Sequence, residues 1–389
     1  MSRHLARRAA AVTALSVALG LSSAATSPAP ASPGVSTVSA SAAAAYSPTA
    51  RSLFGRPGAN GIRSAVLTNI ANAPRGSVIL GNTWTFTDVS IAQALASAHA
   101  RGVRVRVLVA AKTWDSEAVE YLRERLGSGS YVKKSLGAAR KATASTGVGA
   151  MHQKSWLFSR TGSQKFVSIV TSANATDSAN ETQFNDGYQF VDYPEVYSAI
   201  QSKFYEQVKR DKHASPFDHV RIGKITALTF SPWNKPTMRD PVVRRIRQIP
   251  AAGAEIRVAN AAFYGRRGEA IAQALAAKKA KGAKVWVLHG RPFGAGVKRI
   301  LRAARIPMEN AYWTQGTSTT DDDHYLHSKM MTAKYRANGK PQWRVWTGSE
   351  NWSADATAAD ELVAQVGAGK AYSAHVAYFT SVWKLKSSS

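Results

Sequence analysis

The run Ile91-Ala92-Gln93-Ala94-Leu95-Ala96 returns letter for letter as Ile271-Ala272-Gln273-Ala274-Leu275-Ala276. Each copy has the same surroundings. A short buried-strand run precedes it, Gly76-Ser77-Val78-Ile79-Leu80-Gly81 in one case and Ala254-Glu255-Ile256-Arg257-Val258-Ala259 in the other. A helix stop follows at Arg101-Gly102 and at Lys281-Gly282, and then an apolar strand pattern, Val103 to Val109 and Ala283 to Leu288. Self-similarity of this kind marks an internal duplication. Strand, helix and strand in succession imply parallel pairing through a right-handed crossover. The expected fold class is therefore α/β. Two similar halves would each form a mainly parallel sheet flanked by helices, packed with the functional site between them.

The ends bound this duplicated region. Arg3, Arg7 and Arg8 precede an apolar run from Ala9 to Leu21 and the small residues Ser23-Ala24-Ala25, the layout of an export signal. Residues 26–45 are an Ala/Ser/Pro/Thr-rich linker. The expected division is 1–45, signal peptide and linker; 46–215, first half; 216–389, second half, with Ala214-Ser215-Pro216 breaking the helix between them. After signal cleavage the protein would be secreted and extracellular, and a monomer. No later stretch holds 18 uninterrupted apolar residues, so a soluble mature chain is expected. The absence of cysteine excludes disulfides, a thiolate nucleophile and a Cys metal site. Against 24 Asp+Glu stand 51 Lys+Arg, a formal charge of +27. That balance favours anionic partners: an anionic membrane surface, nucleic acid or other phosphate esters.

A second repeat lies inside the first. His152-Gln153-Lys154 and His327-Ser328-Lys329 each precede a strand-like run and then a Ser-x-Asn, Ser172-Ala173-Asn174 and Ser349-Glu350-Asn351. In extended chain, residues i and i+2 share a face, so each histidine would point with its lysine. A neutral imidazole can attack or donate a proton near neutral pH, and an ammonium beside it can hold a phosphate oxygen. The serines and asparagines add neutral donors. The set could cradle a phosphoryl group without metal or cofactor. A Gly-rich phosphate loop, a Gly-x-Ser-x-Gly elbow and a His-Glu-x-x-His zinc motif are all missing from the sequence.

The paired His-x-Lys phrases, each with its downstream Ser-x-Asn, resemble the motifs of the phospholipase D superfamily. Gly348-Ser349-Glu350-Asn351 matches the family's Gly-Ser-x-Asn, and Thr171-Ser172-Ala173-Asn174 has Thr where Gly is usual. The resemblance implies catalysis by His152 and His327. His152 would attack the phosphodiester to form a phosphohistidine, and His327 would serve as acid and then base. It implies phosphate binding by Lys154, Lys329, Ser172, Asn174, Ser349 and Asn351. It also implies a carboxylate behind each histidine. Asp186 and Glu361, spaced like the two histidines, are the first candidates, with Asp360 and Glu181 as substitutes. The family's His-x-Lys-x4-Asp expects aspartate where this chain has Ser159 and Lys334. Both lie an odd number of residues from their histidines, so both should face away from the reacting groups.

Other features carry two readings each. Trp84, Phe86, Phe263 and Tyr264 could line a substrate channel or pack in the core, and for Trp156 and Phe158 core packing is expected. The basic stretch from Lys133-Lys134 to Arg140-Lys141 could touch an anionic partner or be plain solvated loop. Asp321-Asp322-Asp323 reads as a solvated acidic turn, lacking the ligand spacing of a calcium loop. The leading expectation is a secreted, metal-independent phosphodiesterase acting on phospholipids, with transfer to alcohols as a companion activity. The alternatives are a nuclease on the same scaffold and a catalytically degenerate binder of anionic polymer or membrane.

Overall fold

The computed structural model describes residues 46–135, 137–138, 149–209, 218–232, 239–313 and 324–385. The expected export signal and linker, the break at Ala214-Ser215-Pro216, the Arg140-Lys141 end of the basic stretch and Asp321-Asp322-Asp323 lie outside the described residues.

The strands are β1 (Arg51–Arg56), β2 (Ala59–Asn60), β3 (Val78–Thr83), β4 (Arg104–Ala110), β5 (Tyr131–Ser135), β6 (Ser155–Thr161), β7 (Gln164–Thr171), β8 (Gln183–Phe190) and β9 (Asp218–Ile222). They continue as β10 (Thr226–Phe230), β11 (Glu255–Asn260), β12 (Lys284–His289), β13 (Met308–Asn310), β14 (Tyr312–Trp313), β15 (His324–Leu326), β16 (Lys329–Ala337), β17 (Lys340–Gly348) and β18 (Leu362–Val366). Two sheets result. The first runs β5-β4-β3-β6-β7-β8-β1 and the second β13-β12-β11-β16-β17-β18-β10. Position by position the two orders are the same, which is the duplication seen in three dimensions.

The repeated hexapeptide lies in helices Val89–Ala100 and Gly265–Ala280. Ile91, Ala92 and Leu95, and likewise Ile271, Ala272 and Leu275, are buried against the sheet, so the identical letters are the packed face. Asp88 caps the first helix, its side chain accepting from the Ile91 N–H. These helices connect β3 to β4 and β11 to β12 as parallel pairs, and β5 and β13 extend the parallel portions. The remaining neighbours along each order are antiparallel, so the sheets are mixed rather than mainly parallel. The reason is local. Only a crossover long enough to hold a helix returns a strand parallel, whereas β16 and β17 are joined by Asn338-Gly339 alone. Both turn residues have positive φ, 49° and 71°, the geometry an Asn-Gly hairpin supplies.

Strand pairing crosses the duplication in both directions, Met151 bridging to Asp360 in parallel on one side. The β14–β15 hairpin belongs to the second half by sequence, yet β15 runs parallel to β8 in the first sheet, with Tyr325 beside Gln183 and Leu326 beside Phe184. Between the sheets lies a core drawn from both halves, including Leu80, Leu157, Val170, Leu228, Phe230, Val345 and Leu362. Trp156, Phe158 and Phe86 pack in the first half's own core and Phe263 in the second's. Among the described residues no helix is long and apolar enough to cross a membrane.

Beside the first histidine motif, Gly81 on β3 lies opposite Trp156 on β6, and a Cβ at Gly81 would stand 2.6 Å from the indole ring. Gly81→Ala is expected to destabilise the fold by about 1–3 kcal/mol. Adding Trp156→Leu should make the two changes non-additive in the favourable direction, read as a double-mutant cycle from urea denaturation.

Candidate active site

Both histidine motifs sit just before or at the start of a central strand, β6 after Lys154 and β16 from Lys329. Their backbones are tied to the opposite half. The His152 N–H donates to the Asp360 carbonyl at 3.0 Å, and the His327 N–H donates to the Phe184 carbonyl at 2.9 Å. Both imidazoles, with Lys329, Glu361, Asn351, Trp84 and Tyr264, line one cleft of about 510 Å³. That volume suits a small-molecule site.

Behind each imidazole runs the same relay. The Leu362 N–H donates to Ser349 Oγ at 3.1 Å, the Ser349 hydroxyl donates to Glu361 Oε2, and Glu361 Oε1 lies 2.8 Å from His152 Nδ1. In the other half the Asp186 N–H donates to Ser172 Oγ at 3.0 Å, Ser172 donates to Asn185 Oδ1 at 2.8 Å, and Asn185 Oδ1 lies 3.0 Å from His327 Nδ1. Glu361 takes the serine proton on Oε2 and faces His152 with Oε1, while Asn185 Oδ1 takes both contacts. Each partner atom is an acceptor, so each Nδ1 carries its hydrogen and Nε2 keeps its lone pair. The relays differ in one respect: His152 meets a carboxylate, His327 an amide.

This corrects the expectation for Asp186. Its Oδ1 accepts the Lys329 backbone N–H at 2.9 Å and its Oδ2 accepts the Thr347 hydroxyl, so it braces the second motif's backbone instead of its imidazole. The cause is register. His327 to Glu361 spans 34 positions and His152 to Asn185 spans 33, so carrying the histidine spacing rigidly across lands one residue late. A one-residue step along a strand turns the side chain to the other face. Asp360 and Glu181 do not meet either imidazole; Asp360 enters through its backbone.

Ser172 and Ser349 also change role. Both are fully buried behind the imidazoles and position the histidine partners instead of facing a phosphate. The asparagines separate. Asn351 lines the cleft, with its side-chain oxygen unbonded, while Asn174 borders a different, small cavity with Arg63, Asp88 and Asn180. Glu361, His152, His327 and Lys329 come together at the cleft.

Lys154 and Lys329 are nearly fully buried. Each Nζ donates to the carbonyl of its own motif's histidine, at 2.6 and 2.7 Å, and among the described residues neither forms an ion pair. Burial pulls the Lys154 ammonium down to about 7, with nearby Glu361 opposing. Lys329 is pulled well below the usual lysine range by burial and by Lys154. Burial and the two lysines also hold both imidazoles well below their ordinary value. Glu361 is pushed up to about 7 by burial, against the pull of Lys154 and the Ser349 hydrogen bond. Four basic groups therefore crowd around one carboxylate, Glu361, and a bound anion would relieve the cost of their burial, which is the electrostatics of an anion site.

The aromatic residues after β3 and β11 divide between cleft and core. Trp84 stands edge-on to His152 with ring centroids 5.0 Å apart, and Tyr264 lines the cleft and donates to Asp355 Oδ2 at 2.6 Å. Phe86 and Phe263 are core. Ser159 and Lys334 are remote from the cleft: Ser159 Oγ accepts the Val78 N–H at 2.8 Å and Lys334 is exposed on β16. Three contributors escaped the sequence reading: Asn185, Arg291 on the cleft wall, and buried Arg267. Arg267 pairs with Asp240 and Glu350 at 2.8 and 2.6 Å and donates to the Asn351 and Ser353 carbonyls, fixing the loop that bears Asn351.

Comparison with known proteins agrees with this geometry. A family model described as cardiolipin synthase, PLD-like domain, matches residues 66–208 and 245–383. Among curated proteins, none matches by sequence. Phosphatidylserine synthase from Haemophilus influenzae superposes with a TM-score of 0.57 at 11% identity, over 86% of each chain. Polyphosphate kinase from Porphyromonas gingivalis also gives 0.57, at 13% identity, over 86% of this chain and 50% of that one, so the chain spans half the kinase's length. At such identities these likenesses speak for the fold. With the family model covering both halves and both motif histidines meeting in one cleft, the chain belongs to the phospholipase D-like family.

Proposed function

We propose that the protein is a secreted phosphodiesterase that hydrolyses phospholipids through a phosphohistidine on His152, with transfer to acceptor alcohols as a second outcome. The observation that carries the reading is the cleft itself. Two imidazoles with reacting Nε2 atoms share it with Lys329, and its walls include Ala261, Ala262, Ala356, Ala358 and Ala359. Small apolar walls around an anion site suit a phosphodiester attached to an apolar body. Secretion rests on the basic, apolar and small-residue order of residues 1–25.

The unequal relays support the division of labour. In the first step His152 Nε2 forms the N–P bond as the P–O bond to the leaving alcohol breaks, and His327 passes its Nε2 proton to that oxygen. The phosphorylated imidazole is cationic, and Glu361 at 2.8 Å balances it. His327 must surrender a proton, and the neutral Asn185 amide stabilises its imidazolium less than a carboxylate would, which makes it the stronger acid. In the second step neutral His327 takes a proton from water or an alcohol as that oxygen forms the new P–O bond and the N–P bond breaks. A bound phosphodiester offsets the Lys154 and Lys329 charge and raises His327 into its protonated form.

The formal charge of +27 supports a second reading, cleavage of nucleic acid. A panel of phosphatidylcholine, phosphatidylglycerol, cardiolipin and single- and double-stranded DNA, run with EDTA, decides between them. Turnover of lipid that persists with chelator is expected; turnover of DNA alone, falling steeply with salt, would overturn the lipid reading.

Three further outcomes are expected. With a p-nitrophenyl phosphodiester, whose leaving group needs no acid, His327→Ala should release a stoichiometric burst and accumulate phosphohistidine. His152→Ala should give neither and lose at least about 10³-fold in kcat. Trapped phosphoenzyme in His152→Ala would reverse the assignment. Asn185→Asp places a carboxylate on His327 and should move the alkaline limb of the kcat/KM profile up by roughly one pH unit. Lys154 has its folded value lowered to about 7, so its contribution to stability falls as pH drops from the unfolded lysine range towards 7. Lys154→Met should therefore stabilise the protein by about 1–3 kcal/mol near pH 6, less near pH 10, while abolishing turnover; chemical denaturation at the two pH values reads the difference.

A further inference from the structure

A second cavity, of about 390 Å³, lies on the sheet of the second half and is distinct in its lining from the catalytic cleft. Its floor follows from strand register. Trp346 on β17 pairs with Gln365 on β18, Gln365 with Ala227 on β10, and Ala227 with Arg221 on β9. Residues in register share a face, so Arg221, and His219 two positions earlier, project on the same side as Trp346 and, two positions before it, Arg344. Helix Pro241–Gln248 forms the wall with Arg244 and Arg245. Lys224 completes a lining with four guanidinium groups, one ammonium and no carboxylate.

Arg245 is the informative member. It is largely buried, its guanidinium rests 5.5 Å from the centre of the Trp346 ring, and among the described residues it forms no ion pair or hydrogen bond. Burial pulls it down to about 10 even with Glu350 and Asp240 opposing, a cost that a further anion in the cavity would relieve. The duplication supplies an internal control. In the first half the corresponding helix, Gly61–Ala71, offers Asn69, which donates to Gln189 Oε1 at 2.9 Å and accepts from the Tyr46 hydroxyl. Gln189 stands on β8 as Gln365 does on β18, where Trp346 Nε1 donates to it at 2.9 Å. One copy of the fold closes this corner with neutral amides. The other opens it and lines it with cations, so the charge is not something the sheet requires.

We propose that this cavity is a binding site for a soluble polyanionic phosphate compound, one bearing two or more phosphate groups, separate from the catalytic cleft. Five fixed positive charges call for a multivalent ligand, and guanidinium forks suit phosphate oxygens. The site also adjoins the catalytic loop. Asp240, the cap of the wall helix, pairs with Arg267, which holds Glu350 and the carbonyls of Asn351 and Ser353. Occupancy is therefore positioned to alter KM at the cleft.

The test is isothermal titration with inorganic pyrophosphate, using full-length protein. The His152→Ala/Lys329→Ala variant removes the cleft's own claim on phosphate and should still bind. Adding Arg221→Gln and Arg344→Gln to it should weaken binding at least tenfold, and the same pair in the otherwise intact protein should leave kcat on the p-nitrophenyl phosphodiester unchanged. If the pair lowers the melting temperature, Arg221→Gln alone, on the exposed strand β9, repeats the comparison. Binding lost in the His152→Ala/Lys329→Ala variant, or unchanged by the arginine substitutions, would overturn the proposal. So would binding to phosphatidic acid vesicles without binding to pyrophosphate, which would assign the patch to a lipid surface. The proposal does not depend on which phosphodiester the cleft cleaves: loss of all catalysis with pyrophosphate binding intact would sink the functional reading and leave this site standing.

Discussion

Two backbone hydrogen bonds hold the molecule's chemistry together: His152 N–H to the Asp360 carbonyl, and His327 N–H to the Phe184 carbonyl. Each carries a reacting residue of one half onto the strand system of the other. The side chains repeat the crossing, with Glu361 of the second half behind His152 and Asn185 of the first behind His327. Neither half thus contains a complete histidine and partner pair. The shared core between the sheets, from Leu80 and Leu157 to Val345 and Leu362, holds the halves close enough for these bonds to keep their geometry. The site is a property of the docked pair, and its precision rests on the rigidity of the strands that end there.

The same arrangement concentrates unfavourable charge. Two lysines are buried against histidine carbonyls, without ion-pair partners among the described residues, and Glu361 is pushed upwards by the same burial. An interior optimised for stability alone would replace such groups with apolar ones of similar size. Their retention makes sense as preorganisation: the cost is met during folding, and an arriving anion meets charge already in place. Arg267 is the contrasting case, equally buried but held between Asp240 and Glu350, and it serves as a rivet for the loop and not as a reagent.

Much of this was legible in the sequence because duplication turns one chain into two aligned ones. The repeated hexapeptide marked the packed helix face, and the spacing of the histidines pointed to the two imidazoles that share the cleft. The same device failed where the halves differ in length. One extra residue between His327 and Glu361, relative to His152 and Asn185, moved the expected partner onto Asp186, whose side chain faces the other way. Serine roles were hidden for another reason. A hydroxyl in a motif reads as a ligand contact, yet Ser172 and Ser349 each accept one backbone N–H and donate inwards. Long-range pairings such as Arg267 with Glu350 leave no local pattern, whereas the Asn338-Gly339 turn does leave one and makes β16 and β17 antiparallel.

The β15 strand crossing into the first sheet has a consequence for how such a chain can be divided. Phe184 is buried partly by Leu326, which arrives only with the second half. A ribosome that has delivered only the first half has therefore made a module with an unfilled slot, and the missing piece lies far downstream. Cutting the chain between the halves would yield two mutually complementary fragments, each holding what the other lacks. Ancestrally, a single half could have filled that slot only from a second copy of itself, so the fusion of two copies into one polypeptide converts an encounter between molecules into an intramolecular closure.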